Sequence, residues 1–394
     1  MKMFFYTEAR YVKASDGLIY NPNGVQNLSI FKRYLDVFEE VYVVARVIND
    51  NDYKIKANEI VENDFVKVIS IPYYLGPLQY LLVKKKIDKL IKKIVLENKN
   101  QCHLLRIPGN IGRIAFKQLQ KYKVNYGVEV VGDPFEVFKV SFFKNPFQYY
   151  LKYKLYFNLK KITSYACCAI YVTQETLQKR YPNHKMFSAS NVKIKQEEIL
   201  HSFKKHSGVD NTVNIISIGT LEQMYKSPDI LIKLIKKLND NGIDAKLKWL
   251  GKGKHLEEMV QLSKESKIAE KVNFLGQISD KNSINEHLDH SDVFVLASKT
   301  EGLPRVIIEA FARGLPVIAT NVGGIPELMP KELLVNVDDV DGFYKLVVKL
   351  ITEPNYYENI SKTNLEKSKM FVEGTLQQNR MNFLTHLKKQ QSNV

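Results

Sequence analysis

Short runs rich in β-branched and aromatic residues alternate with amphipathic helical patterns along the whole chain. Strands that alternate with helices are typical of parallel sheets covered by helices. The clearest helix is 228–239, which follows Ser227 as N-cap, has Pro228 in its first turn and ends before Gly242. We therefore expect an α/β fold of two doubly wound units. The predicted strands are 3–7, 41–47, 66–72, 103–108, 126–131, 169–173, 213–219, 245–251, 272–276, 292–298 and 316–320.

The length of the chain favours two domains. Its 394 residues, 45% of them hydrophobic, allow each half to bury a core of its own. Apolar periodicity fades over the polar stretch 193–212, where we expect the join. The predicted domains are 1–195 and 205–375, with a C-terminal helix at about 376–394 that packs back on the first domain.

Cysteine usage and hydropathy favour a cytoplasmic protein. Cys102 stands alone and Cys167 and Cys168 are adjacent, which gives neither a disulfide framework nor metal-ligand spacing. The N-terminal residues show no apolar signal region with a cleavage site. No apolar run approaches the roughly 18 residues of a spanning helix. We expect a reducing, cytoplasmic setting and no membrane-spanning segment.

The stretch 298–328 is the most informative part of the sequence. A strand ends, a glycine-bearing loop follows, and Pro304 suits the first turn of the next helix. The start of such a helix offers unpaired N–H groups and a dipole that favour phosphate. We expect the amides of Gly302, Leu303 and Arg305 to bind a phosphate group.

Two carboxylates flank this predicted phosphate site. Glu301 lies in the loop and Glu309 on the helix. A carboxylate is repelled by phosphate, and it suits the acceptance of hydrogen bonds from sugar or ribose hydroxyls. The alternative is an ordinary capped helix with solvated carboxylates, and spacing alone favours neither interpretation.

Further glycine-bearing turns follow other predicted strands. Gly219 ends one strand, and Lys226 precedes the next helix, where it could neutralise charge on a departing diphosphate. A lone lysine at a helix start is more commonly just exposed. Gly251 and Gly253 follow a second strand, and 323–324 a third. The carboxyl edge of an open α/β sheet is where ligands bind, so these turns together predict one site.

Together, these motifs resemble the nucleotide-sugar-binding domain of glycosyltransferase family 4. Members of that family are retaining enzymes with the GT-B fold, in which two Rossmann-like domains face a central cleft. The resemblance covers about residues 190–380 in order and spacing. It rests on EGLPRVIIEA at 301–310, GLPVIAT at 314–320, NVGGIPE at 321–327, and Gly219 with Lys226.

The resemblance implies roles for these residues. It makes Glu301 a contact of the donor sugar, Glu309 a ligand of the ribose, and Lys226 the cation that stabilises the leaving diphosphate. Many members carry arginine directly after the glycine that matches Gly219. This chain has Thr220 there, so Lys226 acts with less help or the side chain of Arg305 supplies the second charge. The implied donor-binding residues are Gly219, Thr220, Gly251, Gly253, Gly302, Leu303, Pro304, Arg305, Glu309 and Asn191, the last in a turn that lacks the family's glycine.

The first half carries fewer motifs. Gly24, in the sequence Asn-Gly-Val after the first strand, matches the family's glycine loop at the cleft. Arg106 and Asp133 lie at strand ends and are predicted to face the acceptor, Asp133 as a catalytic polar group. An aspartate before proline is also a common turn residue. The D-x-D pattern at 50–52 lies in a polar loop that does not fit a metal site, and we expect no metal and no cofactor.

Positive charge is concentrated in the first half. Residues 1–200 carry 32 basic and 18 acidic residues, out of 58 and 42 in the whole chain. Segment 80–100 combines seven lysines with the apolar stripe Val83, Ile87, Leu90, Ile91 and Ile94. Segment 139–161 interleaves six lysines with eight aromatic residues. The alternative is a solvated crossover helix and an aromatic core helix, but both segments together favour contact with an anionic membrane.

The resulting prediction is a cytoplasmic glycosyltransferase on the inner face of the membrane. It would move a sugar, with retention, from a nucleotide-diphosphate-sugar to a lipid-linked or polysaccharide acceptor in cell-surface polysaccharide synthesis. One alternative is another GT-B sugar-nucleotide enzyme with a soluble acceptor. A protein that binds nucleic acid is an alternative from a different class, motivated by the pI of about 9.3, but no nucleic-acid module is present. The third alternative is a catalytically inactive binding module that keeps the fold.

Overall fold

The chain folds into two α/β units. The first comprises Met1–Ala189 with Gln377–Val394, and the second comprises Ser190–Leu376. The boundary between the two units falls within the last helix, because its residues from Gln377 onward belong to the first unit. The computed structural model describes residues 1–22, 26–134, 146–190, 192, 194–205, 212–278 and 280–392, with only the backbone at 146–148.

The first unit is built on a parallel sheet of order β4-β3-β1-β5-β6-β7-β8, with β2 antiparallel to β1. Its strands are β1 (Lys2–Lys13), β2 (Ile19–Tyr20), β3 (Glu40–Asn49), β4 (Val66–Pro72), β5 (Cys102–Ile107), β6 (Gly127–Val130), β7 (Cys168–Tyr171) and β8 (Met186–Ser188). Its helices are α1 (Leu28–Lys32), α2 (Gly76–Glu97), α3 (Asn110–Lys121), α4 (Pro146–Ser164) and α5 (Thr176–Arg180).

The second unit has a parallel sheet of order β11-β10-β9-β12-β13-β14. Its strands are β9 (Val213–Ile218), β10 (Ala245–Leu250), β11 (Val272–Phe274), β12 (Val293–Leu296), β13 (Val317–Thr320) and β14 (Leu334–Val335). Its helices are α6 (Pro228–Asp240), α7 (Leu256–Glu265), α8 (Lys281–Asp289), α9 (Arg305–Ala312), α10 (Ile325–Leu328), α11 (Val340–Thr352) and α12 (Pro354–Ser368), followed by α13 (Glu373–Ser392). The predicted α/β class with two doubly wound sheets is confirmed.

The first strand is much longer than the predicted 3–7. After a register shift between Tyr6 and Arg10, β1 continues to Lys13 by pairing with the end of β3 and with β2. The polar residues at the shift interrupt the apolar run, which is why the run ends early in the sequence. The short strands β2, β8 and β14 have two or three residues each, too few to show a period.

Helix α6 begins after Ser227 as predicted, but the serine does not cap it with its side chain. Ser227 has a left-handed backbone with φ 50°, and its Oγ makes no hydrogen bond to the described residues. Its side chain is fully buried, so it faces the interior instead of the free amides of the helix. The apolar face of α6 is inserted in the core of the second unit through Ile230, Leu234 and Leu238.

The apolar stripe of α2 packs inward and is not a membrane face. Ile87, Ile91 and Ile94 are buried, and Val83 and Leu90 pack against the same core. The crossover-helix interpretation is therefore correct for this stripe. None of the described helices is long and apolar enough to cross a membrane.

Candidate active site

A cavity of about 500 Å³ lies at the carboxyl edge of the sheet of the second unit. The loops after β9 and β10 form one wall, and α8 and α9 form the other. Four residues predicted to bind the donor or act in catalysis line it. They are Gly219, Thr220, Lys226 and Gly251, beside Glu222, Tyr225 and Lys252.

Lys226 and Glu301 form a buried ion pair at this cavity. The Nζ atom of Lys226 lies 2.5 Å from Oε1 of Glu301, and the two side chains are only 12% and 9% exposed. They are 75 residues apart in sequence. The fold therefore brings together the two residues of this unit that were predicted to be catalytic. In a site of low solvent content such a pair is costly to break unless another charge replaces one partner.

Two close backbone approaches shape the loops around this pair. Gly251 has φ 145°, and a Cβ there would lie 1.9 Å from the carbonyl oxygen of Gly219. Gly323 has φ 56°, and a Cβ there would lie 1.8 Å from the carbonyl oxygen of Glu301. Both positions therefore require glycine. The loops that carry Lys226 and Glu301 are held by these contacts.

The loop before α9 remains open on one side. The amide of Gly324 donates to the carbonyl of Gly302 over 2.8 Å. A Cβ on Gly302 would meet no atom within 4 Å, so the fold itself leaves room for a side chain there. Pro304 precedes the helix as its N-cap with extended backbone instead of lying in its first turn, while Leu303 is half-buried against the core.

Glu309 has a partner that the motif analysis missed. Its Oε1 accepts from Nζ of Lys281 over 2.6 Å, and the same Nζ lies 3.7 Å from Oε2 of Glu198. Arg305 is farther, with Nε 4.0 Å from the Glu309 carboxylate, and its side chain is 62% exposed. Lys281 opens α8 outside any recognised motif, so only the tertiary structure reveals it.

Thr220 and Gly253 contribute to the backbone of the site. The Thr220 hydroxyl accepts from the amide of Glu222 over 3.1 Å. Gly253 packs directly against the backbone of Leu221 and Glu222 and is not among the residues that line the cavity. Asn191 lies outside the described residues.

The acceptor-side predictions fall in the first unit. The Asp133 carboxylate is paired with Arg180 and accepts from the hydroxyl of Tyr181 over 2.7 Å. Nη1 of Arg106 lies 3.0 Å from Oε2 of Glu129. Gly24 lies outside the described residues. In the described part of the chain, no group of three or more His, Cys, Asp or Glu side chains is placed to hold a metal ion.

Comparison with known proteins gives a consistent result. The family model described as "Glycosyl transferases group 1" matches residues 200–367. Protein CapJ of Staphylococcus aureus is 30% identical over 348 residues, which cover 86% of each chain. A GDP-mannose-dependent monoacylated alpha-(1-6)-phosphatidylinositol monomannoside mannosyltransferase of Corynebacterium glutamicum is 29% identical over 216 residues, 50% of this chain and 56% of that protein.

Among solved structures, Anabaena Alr3699/HepE in complex with UDP is similar with a TM-score of 0.64 and 16% identity, over 98% of this chain and 100% of that chain. This likeness shows the fold alone, which is that of GT-B glycosyltransferases. The resemblance drawn from the motifs of the second half is confirmed. The extent of its similarity to CapJ and the family match over its second unit show that the chain belongs to the group 1 glycosyl transferases.

Proposed function

We propose that this glycosyltransferase transfers a sugar from a nucleotide-diphosphate-sugar, with retention of configuration, to a lipid-linked acceptor at an anionic membrane surface. The observation that carries the proposal is the Lys226–Glu301 pair at the cavity beside the start of α9. The pair joins a cation suited to a diphosphate with a carboxylate suited to sugar hydroxyls.

The pair suggests how the donor is bound. A diphosphate that enters the cavity offers Lys226 a stronger anionic partner than one carboxylate. Glu301 is then released to accept hydrogen bonds from hydroxyl groups of the donor sugar. The open face at Gly302 allows the diphosphate to approach the amides before α9. UDP is the ligand named for the HepE complex, so UDP-sugars are the first donors to test.

Glu309 is assigned to the ribose. Its side chain is largely buried and held by Lys281, which fixes its carboxylate in one place. A carboxylate in a fixed position can accept hydrogen bonds from two neighbouring ribose hydroxyls. Arg305, exposed beside Glu309, is the second cation available to the diphosphate in place of the arginine missing at Thr220.

The proposed chemistry is a same-face substitution. The bond between the anomeric carbon and the diphosphate oxygen breaks, and negative charge accumulates on the departing diphosphate. Lys226 and the amides before α9 stabilise that charge. The acceptor hydroxyl attacks from the same face of the oxocarbenium-like sugar and gives its proton to the leaving phosphate. This scheme assigns to protein groups the charge stabilisation for which other enzymes use a metal ion, so we propose that none is required.

Two exposed surfaces of the first unit support membrane docking. The leucine patch, at the start of α2, consists of Leu75, Leu78, Leu81 and Leu82, of which Leu78 and Leu82 are 79% and 84% exposed. The exposed lysines 84–86 follow it directly. Exposed leucines next to lysines suit shallow insertion into an anionic bilayer.

The aromatic face of α4 is the second surface. It consists of Tyr149, Tyr150, Tyr153 and Phe157, which are between 48% and 61% exposed. The Nζ atom of Lys154 lies over the ring of Tyr150 at 5.2 Å. Tyrosine rings beside lysines are typical of the membrane interface. Of the other four aromatic residues of this predicted surface, Tyr156 packs against the core of the first unit, and Phe142, Phe143 and Phe147 lie outside the described side chains.

The acceptor and the cellular setting are part of the proposal. The printed name of the Corynebacterium relative gives it a phosphatidylinositol mannoside as acceptor, which supports a lipid-linked acceptor here. We place the enzyme on the cytoplasmic face of the membrane, in the synthesis of a cell-surface polysaccharide. Its three cysteines are unpaired thiols, as expected in a reducing compartment.

Incubation with a panel of sugar nucleotides tests the proposal. Release of the nucleoside diphosphate, with and without EDTA, identifies the donor and tests metal independence. The anomeric configuration of the transferred sugar, measured by NMR, tests retention. A failure of every sugar nucleotide to release diphosphate would contradict the proposed activity. Equal rates with a water-soluble and a vesicle-bound acceptor would favour the alternative of a soluble acceptor.

A further inference from the structure

A second polar cavity, of about 310 Å³, lies in the first unit. The bulged part of β1, the end of β5 and the residue after β6 form its walls, so it opens at the carboxyl edge of the sheet. That edge is the usual place for ligands in open α/β sheets. Three arginines, Arg10, Arg46 and Arg106, line it together with one carboxylate, Glu8. We call it the arginine cavity.

Of the three arginines that line the cavity, Glu8 neutralises only Arg46. Nη2 of Arg46 lies 3.3 Å from Oε2 of Glu8, and Nη1 donates to the carbonyl of Tyr74 over 3.0 Å. The Glu8 carboxylate also accepts from the Tyr74 hydroxyl over 2.8 Å and from the amide of Ile111 over 2.6 Å. With these contacts Glu8 and Arg46 form a fixed neutral pair. Glu8 is thus committed to partners other than the remaining arginines.

Arg106 shares its carboxylate with two other cations. Glu129, which is 5% exposed, lies 3.0 Å from Arg106 and 3.6 Å from Arg33. Burial opposes ionisation of Glu129, yet the charges of Arg106, Arg33 and Arg380 together hold its pKa below the ordinary value. Burial, and then Arg33, lower the pKa of Arg380 to about 10. Three guanidinium groups therefore surround a single ionised carboxylate.

Arg10 adds a further positive charge. It is exposed, lines the cavity, and forms no ion pair with any other described residue. Among these described residues, Arg10, Arg33, Arg46 and Arg106 carry four positive charges and Glu8 and Glu129 carry two negative charges, which leaves an excess of two positive charges. Because a guanidinium ordinarily keeps its proton well above neutral pH, this excess persists at neutral pH.

We propose that the arginine cavity binds an oxyanion of the acceptor, a phosphate or a carboxylate, through the guanidinium groups of Arg10 and Arg106. A guanidinium presents parallel N–H donors that match the two oxygens of either group. The identification of the ligand as the acceptor rests on the proposed function, whereas the binding of an anion does not. The acceptor is then an anionic saccharide: a sugar linked to a lipid phosphate, or an acidic sugar.

Calorimetric titration of the full chain tests the site. Inorganic phosphate and acetate are the two ligands, each titrated with and without UDP so that binding at the donor cavity is separated from binding at the arginine cavity. Arg10→Gln removes the unpaired cation, and Arg10→Lys retains the charge but loses the paired donors. Lys13→Gln is the matched control, because it removes one positive charge from an exposed position three residues further along β1.

We expect one of the two anions to bind in the presence of UDP. Its affinity should fall at least tenfold in Arg10→Gln and by less in Arg10→Lys, and it should change less than twofold in Lys13→Gln. Tighter binding of phosphate identifies a phosphate-linked acceptor, and tighter binding of acetate identifies an acidic sugar. Absence of binding to the wild type, or equal binding by wild type and Arg10→Gln, overturns the proposal.

Measurement of the proposed activity separates the two claims. Lys13→Gln should release diphosphate from the sugar nucleotide in water at the wild-type rate and keep the wild-type KM for the acceptor, because Lys13 lines neither cavity. The KM of Arg10→Gln for the acceptor should rise at least tenfold. If anion binding is lost in Arg10→Gln while the acceptor KM is unchanged, the assignment of the ligand as the acceptor is wrong.

Discussion

Replacement of Lys226 by methionine should reduce both stability and activity, and the two effects can be separated through Glu301. The lysine is a partner in a buried ion pair, so its loss leaves Glu301 buried without its cation. Breaking such a pair costs 3–5 kcal/mol when both partners are fully buried. Since these side chains retain about a tenth of their exposure, we expect the free energy of unfolding to fall by about 3 kcal/mol. For a unit of this size, that corresponds to a fall in Tm of about 6–12 °C.

The double variant Lys226→Met/Glu301→Gln should recover most of that stability. It removes both charges, and so no unpaired charge is left in the site. Its activity should not recover. Loss of one preorganised group that stabilises developing charge lowers kcat by roughly 10²–10³. Recovery of Tm in the double variant therefore shows the structural role of the pair, whereas the lowered kcat of the single variant Lys226→Met, which retains Glu301, reports the catalytic role of the lysine.

Thermal unfolding followed by circular dichroism, together with diphosphate release, measures the two effects. Lys236→Met is the matched control, because Lys236 pairs with Asp240 at 2.8 Å on the exposed face of α6. An exposed pair at this spacing contributes only about 0.3–0.5 kcal/mol, so Tm and kcat should remain close to wild type. Wild-type kcat in Lys226→Met, with a lowered Tm, would show that Lys226 only supports Glu301 and would refute the leaving-group role.

Four further predictions concern other parts of the molecule. Glu309→Ala should raise the donor KM at least tenfold while circular dichroism shows an intact fold, and unchanged donor kinetics would remove it from the ribose site. Gly302→Ala should fold normally, since nothing within 4 Å opposes a Cβ, but should weaken UDP binding in calorimetry; unchanged affinity would place the diphosphate elsewhere. Replacement of lysines 84–86 by glutamate should reduce sedimentation of the protein with phosphatidylglycerol vesicles at low salt. Binding of the wild type to these vesicles should weaken as salt rises, because the Debye length is about 8 Å at physiological ionic strength. A wild type that does not sediment with the vesicles refutes docking. Burial lowers the pKa of His103 to about 4 from 6.5, so the unfolded chain binds more protons than the folded chain between these pH values. The free energy of unfolding should therefore fall by up to about 3 kcal/mol as the pH drops through that window. An equal loss of stability at acid pH in His103→Gln would contradict this.

The sequence was sufficient to predict most of the sheet architecture. The mostly apolar runs 213–219 and 245–251 become interior strands of the parallel sheet, and most of their residues are buried although Lys246 is exposed. The extension of β1 to Lys13 was missed because its second half mixes polar and apolar residues without a regular period and depends on pairing with β2 and β3. Pairing partners distant in sequence leave no local signal.

The candidate site shows the same limit. Lys226 and Glu301 stand out because each follows a strand in a glycine-bearing loop, and the carboxyl edge of the sheet brings such loops together. Lys281 could not be found in this way, since it opens an ordinary helix and reaches Glu309 only through the tertiary fold. The inward packing of the α2 stripe and the outward leucine patch on the same helix were likewise decided by tertiary contacts.

The most direct test of the central claim is a crystal structure of the protein with UDP bound. The account predicts that the diphosphate lies within about 3 Å of the Lys226 Nζ atom, which is hydrogen-bonding distance. The distance from this atom to Oε1 of Glu301, 2.5 Å without ligand, should lengthen as the glutamate is released. UDP bound elsewhere, with the Lys226–Glu301 pair still closed, would contradict the proposed donor site and the role of Lys226.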